Sequence, residues 1–254
     1  VIVERLWFAV SLVVAVAALG TAVIVAGRAL RRSGGQEDAA GTVGVALWVA
    51  GAWAVMGAVG AVIAVLGALL QPDVTITMPV ADFWPALPAG TALEGMTATR
   101  VSGGFTSVDL TVTGLSTGAR ILWAVSQGLA WLLPTAIAVL IAVTCAQLRA
   151  GRTFAPAVSR MTMITAVVVA AGGVAMQVTG DIAGSMAAVE TLQWTSGSYP
   201  DLPGIEDVPQ AWWPRPGFVV TFPFWPIAAG LAFAALAAVF RIGSRMQRDT
   251  AGLV

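Results

Sequence analysis

The chain has 254 residues, 58% of them hydrophobic and only 10% charged, with a formal net charge of zero and a mean hydropathy of +0.87. Soluble domains average about 45–50% apolar and about 25% charged residues. So few charges would leave a water-soluble globule with large bare apolar patches, so the composition excludes that class and predicts an integral membrane protein. Histidine, lysine and asparagine are absent, all 13 basic residues are arginine, and Cys145 is the only cysteine. These absences exclude nitrogen and sulfur sites for zinc, copper or haem within one chain, an intrachain disulfide, N-glycosylation, and Ser-His-Asp or Cys-His catalysis. No cofactor, metal site or enzymatic activity is expected. Arginine without lysine, among many Ala, Gly and Val, points to a GC-rich bacterial genome. Val1 fits a trimmed chain or a GTG start read literally.

Five apolar stretches without charge meet the length of about 20 residues that a span needs: 6–27, 43–70, 121–146, 161–180 and 218–240. The predicted fold is therefore an all-α membrane protein of five transmembrane helices with a small extracytoplasmic β-element. The first stretch is too long for a signal-peptide core. Residues 1–42 read as an additional N-terminal transmembrane helix with its inner loop, and 43–254 as a four-helix membrane domain with outer segments 71–120 and 181–217. In the first outer segment, Val74-Thr75-Ile76-Thr77-Met78 and Val108-Asp109-Leu110-Thr111-Val112-Thr113 alternate apolar and polar residues. That is the period of a strand, and a hairpin is expected. In the second, Ile182, Met186, Val189 and Leu192 fall at helical spacing and predict that the fourth span continues outward. The Pro-rich stretch 200–216, with Glu206 and Asp207 adjacent, is expected to be irregular and solvated.

Charge divides these segments. The loop 28–42, the loop 147–160 and the tail from Arg241 hold nine arginines and three acids, whereas the opposite side holds four arginines and ten acids. Arginine excess marks the cytoplasmic side, which puts the N-terminus outside and the C-terminus inside a bacterial cytoplasmic membrane. Trp84, Trp194, Trp212, Trp213 and Trp225 lie in or beside the outer segments, where indole rings favour the interface. An aromatic ligand cage is the alternative for them.

Within the spans the notable polar groups are Gln127 and Gln177, near the outer ends of their helices. A hydrogen bond between them would contribute about 1 kcal/mol or less. Gly51, Gly57, Gly60 and Gly67, and the pair Gly172-Gly173, permit close helix approach, inside the bundle or between subunits. Pro134 deprives the Ala130 carbonyl of its usual donor and predicts a kink.

Two inner motifs stand out: Leu148-Arg149-Ala150-Gly151-Arg152-Thr153-Phe154-Ala155-Pro156, followed by Arg160, and Val239-Phe240-Arg241-Ile242-Gly243-Ser244-Arg245-Met246-Gln247-Arg248-Asp249. Together they resemble an uncharacterised bacterial multi-span membrane family, a domain of unknown function. Its members have four helices, a Gly-x-x-Phe turn after the second, and a last helix ending Phe-Arg-x-Gly-x-x-x-x-x-Asp. The resemblance runs from about Val43 to Val254 and makes the first span an addition. Members of that family are often encoded beside Cro/CI-type helix-turn-helix regulators, which implies a regulatory partnership.

The expected function is that of a non-enzymatic integral membrane protein, a sensor or an anchor for a cytoplasmic regulator. A structural subunit of a larger membrane complex is the alternative, and a transporter or channel is disfavoured by spans without charge. The expected partners are membrane lipid, a cytoplasmic protein or a membrane-complex partner, with no direct nucleic-acid binding. The candidate contact residues are Arg149, Arg152, Phe154, Arg160, Arg241, Arg245, Met246, Arg248 and Asp249. Arg241, Arg245 and Arg248 are spaced i, i+4, i+7, which a helix gathers on one side. Attraction to anionic lipid, about 1 kcal/mol per basic residue near the surface, competes with docking of an acidic partner.

Overall fold

A computed structural model of the chain describes residues 37–88, 90–152, 154–198, 205 and 207–251, with only the backbone at 37–40 and 248–251. The predicted span 6–27 lies outside the described residues, as do Arg28, Arg31 and Arg32. In chain order the elements are α1 (Glu37–Leu70), β1 (Asp73–Phe83), β2 (Phe105–Thr113), α2 (Thr117–Arg149), α3 (Pro156–Leu192), α4 (Val208–Trp212) and α5 (Trp225–Ala251). Among the described residues four helices are long and apolar enough to cross a membrane: Gly41–Leu70, Thr117–Arg149, Pro156–Leu192 and Trp225–Gln247, of 30, 33, 37 and 23 residues. All exceed the length of about 20 that a bilayer core requires. The chain is mostly helical, and among the described residues it has one two-stranded sheet.

The residues cluster into two compact units. The first comprises the described parts of Val1–Gly60, Trp131–Gly173 and Phe224–Val254. Its helices meet through small residues. A Cβ on Gly57 would meet the Thr135 side chain, and one on Gly60 would lie 2.7 Å from the Trp131 ring. Gly173 faces Pro226, and Gly230 faces Ala170 and the Ala166 carbonyl. Ser159 Oγ donates to the Ala237 carbonyl at 3.1 Å. These pairs descend α3 while they ascend α5, so the two helices run antiparallel. The internal use expected for Gly57, Gly60 and Gly173 is observed, whereas at Gly51 no described residue lies within 4 Å of where a side chain would be. α2 stays helical on both sides of Pro134, and the Trp131 carbonyl accepts from the Thr135 hydroxyl at 2.7 Å.

The second unit, Ala61–Ala130 and Val174–Pro223, carries the predicted hairpin. β1 and β2 are antiparallel, with Val74 opposite Val112 and Ile76 opposite Leu110. The alternation does what it implies. Val74, Ile76, Met78 and Val80 are buried, whereas Thr75 pairs with Thr111 at 2.8 Å and Thr77 donates to Asp109 at 2.5 Å on the exposed face. The buried face rests on α3. That helix does run on past residue 180, to Leu192, as expected, but the residues it contributes to this core are Ala183, Ala187, Ala188 and Leu192, and Val189 is exposed. Close approach explains the difference. Gly184 lies directly beneath the Thr77 carbonyl, where a larger side chain has no room. The other edge of β1 is covered by the strip 215–217: Ala81 donates to the Arg215 carbonyl and Gly217 to the Pro79 carbonyl, both at 3.0 Å.

The stretch 200–216 is not wholly irregular. Asp207 accepts from the Gln210 amide at 3.1 Å and caps α4, with Pro209 in the first turn. A side-chain cap and an early proline are both favourable at a helix start.

Candidate functional site

The sequence-predicted contact residues fall in the first unit. α2 ends because Gly151 takes the left-handed conformation, φ +69°. Its amide donates to the Leu148 carbonyl at 3.0 Å, and the Arg152 amide donates to the Gln147 carbonyl at 2.9 Å. This is the paired bonding of a Schellman cap. The turn that follows sets Phe154 against Gly243 of α5, with a Gly243 Cβ falling 2.5 Å from the ring. Phe154 is thus half-buried, and its ring joins the turn after α2 to the last helix. α5 remains helical through Ala251, so the backbone register carries positions 241, 245 and 248 on one face. Arg149, Arg152, Arg160, Arg241 and Arg245 are exposed, and among the described residues none of their five guanidinium groups is hydrogen-bonded or ion-paired. Met246 is exposed as well. The side chains of Arg248 and Asp249 lie outside the described residues. The structure thus brings the two predicted segments together, and what they present there is exposed guanidinium groups with no acidic partner among the described residues.

A second feature, in the second unit, is one that sequence reasoning missed. A half-open cavity of about 490 Å³ lies among the hairpin, α2, α3 and the strip before α5. Its polar lining includes Thr106, Ser107, Ser126, Gln127, Gln177 and Asp181, and its apolar lining includes Trp123, Met176 and Val219. Asp181 is half-buried. One oxygen accepts from Gln177 Nε2 at 2.8 Å and the other from the Thr221 amide at 2.6 Å. The bond considered between Gln127 and Gln177 is therefore not formed. Gln177 is one turn from Asp181 on the same helix, and a local partner at i+4 costs less ordering than one across helices. Gln127 has no hydrogen-bond partner among the described residues. Ser126 Oγ donates across to the Met176 carbonyl at 2.9 Å. The missed signal was the i, i+4 pair Gln177 and Asp181, because the apolar run ends at Gly180 and Asp181 reads as the first residue of a loop. No group of three or more Cys, Asp or Glu is placed to hold a metal ion among the described residues.

Trp84, Trp194, Trp212, Trp213 and Trp225 are exposed rings, two of them with occupied N–H groups. Trp212 Nε1 donates to the Ala86 carbonyl at 2.8 Å and Trp213 Nε1 to the Leu192 carbonyl at 2.9 Å. Trp84 stacks on Phe105 with centroids 5.3 Å apart, and the Arg100 guanidinium lies 4.6 Å from the Trp84 ring centre. That stack sits at the loop end of the hairpin, next to the pair Phe83 and Phe105. Trp194, Trp212, Trp213 and Trp225 leave 43–56% of their area exposed, which suits a half-wet interface.

Compared with protein-family models, curated proteins and solved structures, the chain matches none.

Proposed function

We propose that the chain is a non-enzymatic integral protein of a bacterial cytoplasmic membrane, N-terminus outside and C-terminus inside, that anchors a cytoplasmic regulator at its inner face. The observation that carries this is the Phe154–Gly243 contact, which joins two segments whose exposed guanidiniums have no partner among the described residues. A fixed cationic surface steers an acidic partner and sets its orientation. The resemblance of both inner motifs to a membrane family encoded beside helix-turn-helix regulators supports a soluble partner of that kind. Four membrane-length helices and the split of arginines between segments support the topology.

The test is capture from native membranes with wild type and with Arg245→Gln/Arg248→Gln. Seven inner arginines remain to hold the orientation. The expected result is a soluble partner retained by wild type, more weakly held and less salt-sensitive in the variant. Equal capture by both, or no soluble partner, would overturn the docking role and leave contact with anionic lipid.

A membrane-complex subunit is the second reading. It is favoured by α1, where no described residue lies within 4 Å of a side chain placed at Gly44 or Gly51 and Trp48 is 78% exposed. Stoichiometric co-purification of another membrane protein, lost on Gly51→Leu, would move the assignment to it.

A further inference from the structure

The cavity at Asp181 carries an inference independent of the inner face. Its charge is one-sided. Asp181 is the one ionisable residue among those lining it, and no cation pairs with it among the described residues. An ionised carboxylate has about four acceptor positions. Two are used, one by Gln177 and one by Thr221, so each oxygen keeps capacity that no donor takes up among the described residues. These two bonds hold the group in place without neutralising it. Half-burying a carboxylate without a counter-charge is costly, and the usual remedy in a folded chain is a paired cation.

The remaining lining defines that cation. Gln127 is half-buried and unpartnered among the described residues, and its amide offers an oxygen. Ser126 has already spent its proton on the Met176 carbonyl and keeps only acceptor capacity. Trp123 supplies an aromatic wall, and Met176 and Val219 supply aliphatic surface. Acceptors, one negative charge and an aromatic face suit a donor-rich cation with an apolar body. The lining holds no arginine to receive an acid or a phosphate. A calcium ion takes six to eight oxygens, usually from several carboxylates, whereas only Asp181 is offered. A volume of about 490 Å³ also greatly exceeds a bare ion and lies in the range of small-molecule sites.

We propose that this cavity is a binding site for a small protonated organic amine, with its ammonium group on Asp181 and Gln127 and its apolar part against Trp123 and Met176.

Calorimetric titration of the whole protein in detergent tests this with phenethylammonium, its neutral counterpart 2-phenylethanol, sodium and calcium. Phenethylammonium should bind at least tenfold more tightly than each of the other three. Asp181→Asn, which keeps an oxygen for one of the two amide donors, should weaken the amine at least tenfold and leave 2-phenylethanol unchanged. Gln127→Leu should weaken the amine at least threefold. If Asp181→Asn does not fold, the amine-to-alcohol ratio in wild type and the Gln127→Leu value decide. Equal affinity for amine and alcohol, tighter binding of calcium, no binding of phenethylammonium, or an unchanged amine affinity in a folded Asp181→Asn protein would each overturn the proposal.

Discussion

Gly184 lies under the Thr77 carbonyl because it has no side chain, and that absence sets how closely β1 approaches α3. A side chain there must push against backbone, which cannot swing away. Gly184→Val is expected to destabilise the fold by about 1–3 kcal/mol, the range for overpacking a filled interior, read as a lower thermal midpoint in detergent. Glu190 works in the opposite sense, by addition. Its carboxylate accepts from the Ser116 amide at 2.8 Å and the Ser116 hydroxyl at 2.6 Å, while Ser116 Oγ accepts from the Ala119 amide at 3.3 Å. The start of α2 is therefore capped by a serine whose own amide is satisfied from α3. The usual capping box takes that acid from the third residue of the same helix, and here that position is Ala119. Glu190→Ala should cost about 1 kcal/mol, the typical worth of a cap, and a double-mutant cycle with Ser116→Ala should show coupling. Nothing in the spacing 116–190 announces this contact, whereas the spacing 177–181 does announce the bond between Gln177 and Asp181.

Among elements, the strands were legible and the helix face was not. Period-two alternation in 74–78 and 108–113 needs only one wet and one dry face, and both strands carry it. In α3 the helical spacing of Ile182, Met186, Val189 and Leu192 marked the continuation of the helix, but beyond residue 180 the fully buried side chains are those of Ala183, Ala187 and Ala188. Close packing on a backbone selects for small volume, and a hydrophobicity scale ranks alanine low. α4 was hidden by prolines that read as loop, although an aspartate cap before a proline in the first turn is also how a helix begins. The turn after α2 gives the element-scale prediction. Gly243→Leu should clash with the Phe154 ring and loosen the joint between that turn and α5. Phe154→Ala alone should cost less than its full burial would, since the ring is only half-buried. The pair combined should be less damaging than the sum of the two, because each relieves the space that the other crowds. Thermal midpoints of the four proteins in detergent check this, and additive losses would show that the two residues act separately.

For the molecule as a whole, composition alone implies helices that suit a membrane, and four such helices are present among the described residues. The span 6–27 lies outside them. The direction of the helices rests on arginine placement, which is a statement about the cell's insertion machinery and leaves no mark on packing. Reporter fusions after Thr42, Arg120, Gly151, Gly217 and Val254 should read inside, outside, inside, outside, inside, as the proposed topology requires. A C-terminus on the outside would reverse the map and remove the basis for a cytoplasmic partner.

The way the hairpin is seated also imposes an order in time. β1 and β2 are made early, but the floor beneath them is the far end of α3, and their other contacts come later still. Ser116 waits 74 residues for Glu190, Ala86 waits 126 for Trp212, and Asp181 waits 40 for Thr221. A nascent chain halted just after residue 180 would hold Ile76 and Met78, fully buried in the finished protein, without Ala183, Ala187, Ala188 and Leu192 of the core that they join. Closure of this unit is thus a late event in synthesis, governed by contacts distant in sequence. Protease resistance of the hairpin should appear in one step, once the ribosome has passed residue 221, and not gradually as the strands emerge.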